Sequence, residues 1–140
     1  MSVERAWRWA VLLAAVAAFA CGGGTGKGSA QTVLQRVKAG SLELVLLSGA
    51  PALAQGKGAF TLEFHGADGA LVDVGAVRVA ATMPMAGMAP MFGTVGIERT
   101  GTPGRYAATT DLGMAGGWQM SLEWDGPGGR GSVRFQQMVR

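Results

Sequence analysis

Four of the chain's 8 methionines fall within one stretch, Met83-Pro84-Met85-Ala86-Gly87-Met88-Ala89-Pro90-Met91. Thioether sulfur is a soft ligand that selects Cu(I) over hard cations and most first-row divalent ions. It carries no proton, so binding does not compete with protonation. Thiols outside the cytoplasm tend to become disulfides, which thioethers cannot form. Met83 and Met85 are two apart, so an extended backbone places both on one side. Met85, Met88 and Met91 are spaced by three, so a turn can gather them. Met114, in a second glycine-rich stretch, adds a ligand if the two stretches share one end of the fold. The competing reading is packing, because Met is an adaptable filler of cores and binding surfaces. Spacing alone leaves both open. Met120 alternates with Trp118 and Leu122 and is expected in the core.

The other reactive side chains are few. The single histidine, His65, lies by alternation on a polar strand face. No Ser/His/Asp or paired-carboxylate spacing is visible, so a non-catalytic chain is expected. The glycine runs lack a Lys-Ser/Thr ending and open no helix, which excludes a phosphate cradle. The net charge is +3, with basic residues scattered and no aromatic–basic interleaving, so no nucleic-acid partner is expected.

The methionine stretch needs elements to hold it. Two prolines and a glycine exclude a plain helix or central strand there. No charged residue occurs from Val79 through Ile97. Around it the chain is punctuated by Gly and Pro into short segments, the pattern of an all-β domain. Alternation predicts strands over Gln31–Lys38, Ser41–Ser48, Ala59–His65, Val74–Met83, Thr94–Thr100, Arg105–Thr110, Trp118–Asp125 and Gly131–Val139. Loops are expected over Ala50–Gly58 and Asp111–Gly117. Thr61, Glu63 and His65 are expected to face outward, and Phe60, Phe64, Trp118 and Trp124 to fill the core. Seven to eight short antiparallel strands fit an immunoglobulin-like β-sandwich.

The first residues set the compartment. Arg5 and Arg8 precede an apolar run from Trp9 to Ala20, shorter than the roughly 20 residues of a spanning helix. Residues 1–20 therefore read as a signal-peptide helix. Ala18-Phe19-Ala20-Cys21 resembles the lipobox of bacterial lipoproteins, with Cys21, the only cysteine, as the lipidated residue. Residues 21–30 read as the lipidated cysteine and a Gly-rich tether with a reach of about 15–18 Å. Residues 31–140 form the sandwich. A cell-envelope location follows, lipid-anchored and facing the periplasm or the outer side.

Several positions then carry a family resemblance over roughly residues 40–125. They are the strand ending in Met83-Pro84, the segment Pro103-Gly104-Arg105-Tyr106, and Leu112…Gly116-Gly117-Trp118 leading into Gln119 to Trp124. In these the chain resembles the YtkA-like domains of bacterial cell-surface and periplasmic proteins, a group related to FixH-like domains. The resemblance implies a small immunoglobulin-like sandwich found beside copper-handling or efflux components. Such domains often carry histidine in the Met-rich loop; here there is none, which narrows the implied site to Cu(I) held by thioethers. The expected function is non-catalytic holding or passing of Cu(I) by Met83, Met85, Met88, Met91 and Met114. The rival is a metal-free module that docks its apolar loop on an envelope efflux or oxidase-assembly protein.

Overall fold

A computed structural model describes residues 30–140. The expected signal peptide, Cys21 and most of the expected tether lie outside the described residues. The described residues form eight strands and no helix: β1 (Thr32–Ala39), β2 (Leu42–Ser48), β3 (Gly56–His65), β4 (Ala76–Met83), β5 (Met91–Arg99), β6 (Arg105–Leu112), β7 (Gly116–Gly126) and β8 (Gly129–Val139). All pair antiparallel, in the order β1-β2-β3-β6-β5-β4-β7-β8. The strands β2-β3-β6-β5 face β4-β7-β8, which is the strand partition of immunoglobulin-like sandwiches. β1 is added at the edge of β2 and comes beside β8, so the sheet is nearly closed. The all-β expectation holds.

The two halves are stitched by a short pairing of β4 with β5. It covers only Ala81↔Gly93, Thr82↔Phe92 and Met83↔Met91. Beyond it the strands diverge, because β4 pairs along its length with β7 while β5 pairs with β6. The stitch therefore sits at one end of the sandwich. That end also gathers the β2–β3 and β6–β7 connections, the start of β1 and the end of β8.

Alternation places the core. Phe60, Leu62 and Phe64 of β3 face Trp118, Met120 and Leu122 of β7, all buried. Phe64 meets Tyr106 and Trp124 edge-on, with ring centroids 5.6 and 5.5 Å apart. Such contacts add about 0.5–1.5 kcal/mol beyond area burial. Gly93 faces inward on β5, where a Cβ would collide with Leu112 and the Trp118 ring. The missing side chain lets the indole fill the space beside the stitch. The eight strands enclose this core between them, so residues 30–140 carry a core of their own, as a folding unit must.

Four expectations are corrected. The strand β3 begins at Gly56, inside the expected Ala50–Gly58 loop. β5 begins at Met91, so the methionine loop shrinks to residues 84–90. The second loop shrinks to residues 113–115, because β6 runs on to Leu112 and β7 starts at Gly116. In each case pairing with a neighbouring strand extends the ladder, Gly56 with Leu112, Met91 with Met83 and Gly116 with Val139, and glycine does not prevent it. The fourth is Glu63, which is on the outer face as expected yet only 6% exposed.

Candidate functional site

The methionines are positioned by the stitch. Met83 ends β4 and Met91 opens β5, and the two are direct partners on the inward-facing side. Directly opposed residues of an antiparallel pair have Cβ atoms about 4.5–5.5 Å apart. The β6–β7 turn lies against both. The Met91 Sδ is 3.6 Å from where a Gly113 Cβ would stand. A Cβ on Gly116 would collide with the Met83 methyl group, and Gly116 has φ +134°, a conformation that glycine alone adopts freely. Met114, half-way round that turn, is fixed by its carbonyl, which accepts a 2.9 Å hydrogen bond from the buried Trp118 Nε1.

The structure thus brings together Met83, Met91 and the turn that carries Met114. Met85 and Met88 belong to the connecting loop, where the Met88 N–H donates to the Met85 carbonyl at 3.4 Å. Met85 is half-buried. Met88 is 64% exposed and stands at the loop tip. Met83 and Met91 also pack against the core, so each is at once a structural residue and a soft donor. Among the described residues, no three His, Cys, Asp or Glu side chains are grouped to hold a metal ion. A metal at this end would therefore meet thioether sulfur.

A second cluster lies at the opposite end and was partly legible. Alternation places Glu63 and His65 on one outer face, two residues apart on β3. The register Glu63↔Arg105 brings in the third member from β6. Arg105 donates from Nε and Nη2 to the Glu63 Oε1 at 2.7 and 2.6 Å. His65 Nε2 is 2.8 Å from the other oxygen, and its Nδ1 is 2.9 Å from the Gly69 carbonyl. A carbonyl oxygen only accepts, so Nδ1 carries a proton. The second nitrogen, when it too is protonated, donates to the Glu63 carboxylate. The Gly69 carbonyl, and then Glu63, raise the His65 pKa against the opposing effect of burial. Burial pushes the Glu63 carboxyl up, but the hydrogen bonds from His65 and Arg105 outweigh it and hold the group below its ordinary value.

An imidazole protonated on both nitrogens has no lone pair with which to take a proton. This cluster ties β3 to β6 and to the β3–β4 connection. Nearby, the buried Tyr106 donates 2.8 Å to the Gly75 carbonyl, and Asp73 accepts from Arg99 at 2.7 Å. A surface depression of about 640 Å³ lies over Trp124 and Gly131. It is lined by Arg78, Arg130, Glu123 and Asp125, charges of both signs with no convergent set.

Comparison with known proteins adds one finding. The YtkA-like family profile matches residues 36–123, more than half of the chain. The chain belongs to the YtkA-like family. The match covers β1 from Arg36 to Glu123 of β7, and so includes the stitch, both loops and the Glu63 cluster. Membership suggests a non-catalytic accessory domain. Neither the curated proteins nor the solved structures gave a match.

Proposed function

We propose that this YtkA-like domain is an exported, lipid-anchored, non-catalytic accessory domain that holds or passes Cu(I). One observation carries the reading: Met83 and Met91 are direct cross-strand partners, and the turn bearing Met114 lies against both. Two thioether side chains from the β4–β5 hairpin and one from the β6–β7 crossover thus come to one end of the sandwich. Met83 and Met91 would hold the ion, Met114 would complete a three-sulfur set, and Met85 and Met88 would line its approach. The donor set fits Cu(I), which soft sulfur prefers. Thioethers need lose no proton to bind, so capture would be insensitive to moderate changes in pH. The lipid anchor at Cys21 would keep the domain at the envelope, on the periplasmic or outer side.

The test is an anaerobic titration of the domain with Cu(I) against a competing chelator. It is repeated with Met83, Met85, Met88, Met91 and Met114 all changed to Leu. Met-to-Leu swaps nearly conserve volume and usually cost less than about 1.5 kcal/mol each. The native chain is expected to withdraw copper from the chelator and the variant to fail. Equal, weak binding by both proteins refutes the copper reading.

A further inference from the structure

The exposed large apolar side chains among the described residues are Val33, Met88, Phe92, Met114 and Met138. All five belong to the end that carries the β4–β5 stitch. Phe92 is 74% exposed and Met138 58%. They are not remnants of packing, since both point outward from their strands opposite buried or half-buried neighbours. Val33, Met138 and Phe92 lie along one arc of the rim, from β1 across β8, β7 and β4 to β5. Met88 and Met114 are on the loops that project from it.

Charge is segregated away from this arc. The end as a whole carries Lys57, Asp111 and Arg140. Lys57 and Asp111 pair on β3 and β6, on the other side of the rim. The five ion pairs among the described residues all lie toward the opposite end. A soluble domain has no folding reason to sort its surface in this way, and contiguous exposed apolar patches mark interaction sites.

The course of the chain says what the arc meets. Ala30 enters β1 at this same end. Resting on the anchor at Cys21 proposed above, residues 22–30 have a mean reach of about 15–18 Å. The eleven-residue strand β8 alone is about 35 Å long at ~3.3 Å per residue. The tether is therefore shorter than the domain, and the apolar end stays nearest the bilayer. We infer that this end seats on the lipid interface, with Phe92, Met138, Val33 and the tips Met88 and Met114 buried among headgroups and upper acyl chains. With two cations, Lys57 and Arg140, and one carboxylate, Asp111, this end has little net charge and little preference for anionic lipid. Apolar insertion, not charge, holds the surface.

The test uses residues 30–140, which enclose their own core, floated with phosphatidylcholine vesicles with and without phosphatidylglycerol. Excess Cu(I) chelator is present, so the outcome does not depend on copper. Mass spectrometry of Cys21 in the full chain reads the anchor separately. The domain is expected to float with both vesicle types to a similar extent. Phe92→Ser with Met138→Ser is expected to lower the bound fraction at least about tenfold, as loss of two buried apolar side chains requires. Thermal melting checks that this variant is folded, and Met88→Ser at the loop tip gives a second reading that cannot disturb a strand. Failure to float, or equal flotation of the variants, overturns the inference. So does a domain that ignores vesicles but forms a dimer, or binds an envelope protein, in a manner sensitive to Phe92→Ser.

Discussion

The two ends of this sandwich are built on opposite principles. At one end, buried Glu63 takes hydrogen bonds from Arg105 and His65, Asp73 takes one from Arg99, and Tyr106 closes on the Gly75 carbonyl. At the other, the β4–β5 hairpin meets the β6–β7 crossover through Met83, Met91, Gly113 and Gly116, and the surface exposes Met88 and Phe92. The polar end is specific because directional hydrogen bonds fix its donors against particular acceptors. The apolar end is adaptable because thioethers and glycines accept several packings. The difference teaches that stability and interaction are divided along the long axis. The end that must hold its shape uses hydrogen bonds. The other end leaves soft, apolar groups exposed.

The comparison can be broken at its strongest point first. Glu63→Gln removes the charge that Arg105 and His65 meet and is expected to destabilise by about 2–3 kcal/mol, the scale of hydrogen bonds to a charged group. Urea unfolding measures it. Met91→Leu at the other end is expected to cost less than about 1.5 kcal/mol. Equal losses would end the division of labour.

Within the apolar end, depth should decide. Met83→Ala opens space beside Gly116 and the core, and about 2 kcal/mol should be lost. Met88→Ala, at the exposed tip, should stay within about 0.5 kcal/mol of the native chain by the same measurement.

A pH series sharpens the polar end. The folded pKa of His65 is raised, so its contribution is fully present below the unfolded value near 6.5 and is lost as pH rises through the folded pKa. The folded pKa of Glu63 is lowered, so its contribution is present above the unfolded carboxylate value and is lost as pH falls through the folded pKa. Stability against denaturant should therefore decline on both sides. His65→Gln should flatten the alkaline limb and, because the His65 hydrogen bond helps to lower the Glu63 pKa, weaken the acid limb as well. An unchanged alkaline limb would mean that His65 is neutral in the folded chain.

The smallest effect is expected at Phe92. In the absence of lipid, Phe92→Ser should change stability by no more than about 0.5 kcal/mol, because the ring is already in solvent. A large loss in thermal melting would show that the ring packs, and would return the apolar rim to a folding role.

Much of the strand content was legible from local pattern. Phe60, Leu62 and Phe64 alternate with Thr61, Glu63 and His65, and the faces followed directly. Trp118, Met120 and Leu122 gave the same signal, and all three are buried. Glu63 was assigned its correct face but not its burial. Its cover comes from Arg105, forty-two residues along the chain, and no local window sees that partner. Met91 was placed in a loop because Pro90 and the flanking methionines read as irregular chain. Pairing with Met83 makes it the first residue of β5. Tyr106 drew notice only as part of a motif, although its ring is core and its hydroxyl ties β6 to the β3–β4 connection.

The amino-acid sequence by itself determined an all-β domain, its inward faces, a cluster of soft sulfur and a long span without charge. These follow from residue types and a side-chain period of two, which are properties of neighbours. Only the tertiary structure decided that Met83 faces Met91, that Met114 comes to the same end, and that the chain enters there too. Those facts depend on strand order and register. Both are set by which distant segments pair to close the core, and a different register would carry every one of these side chains elsewhere.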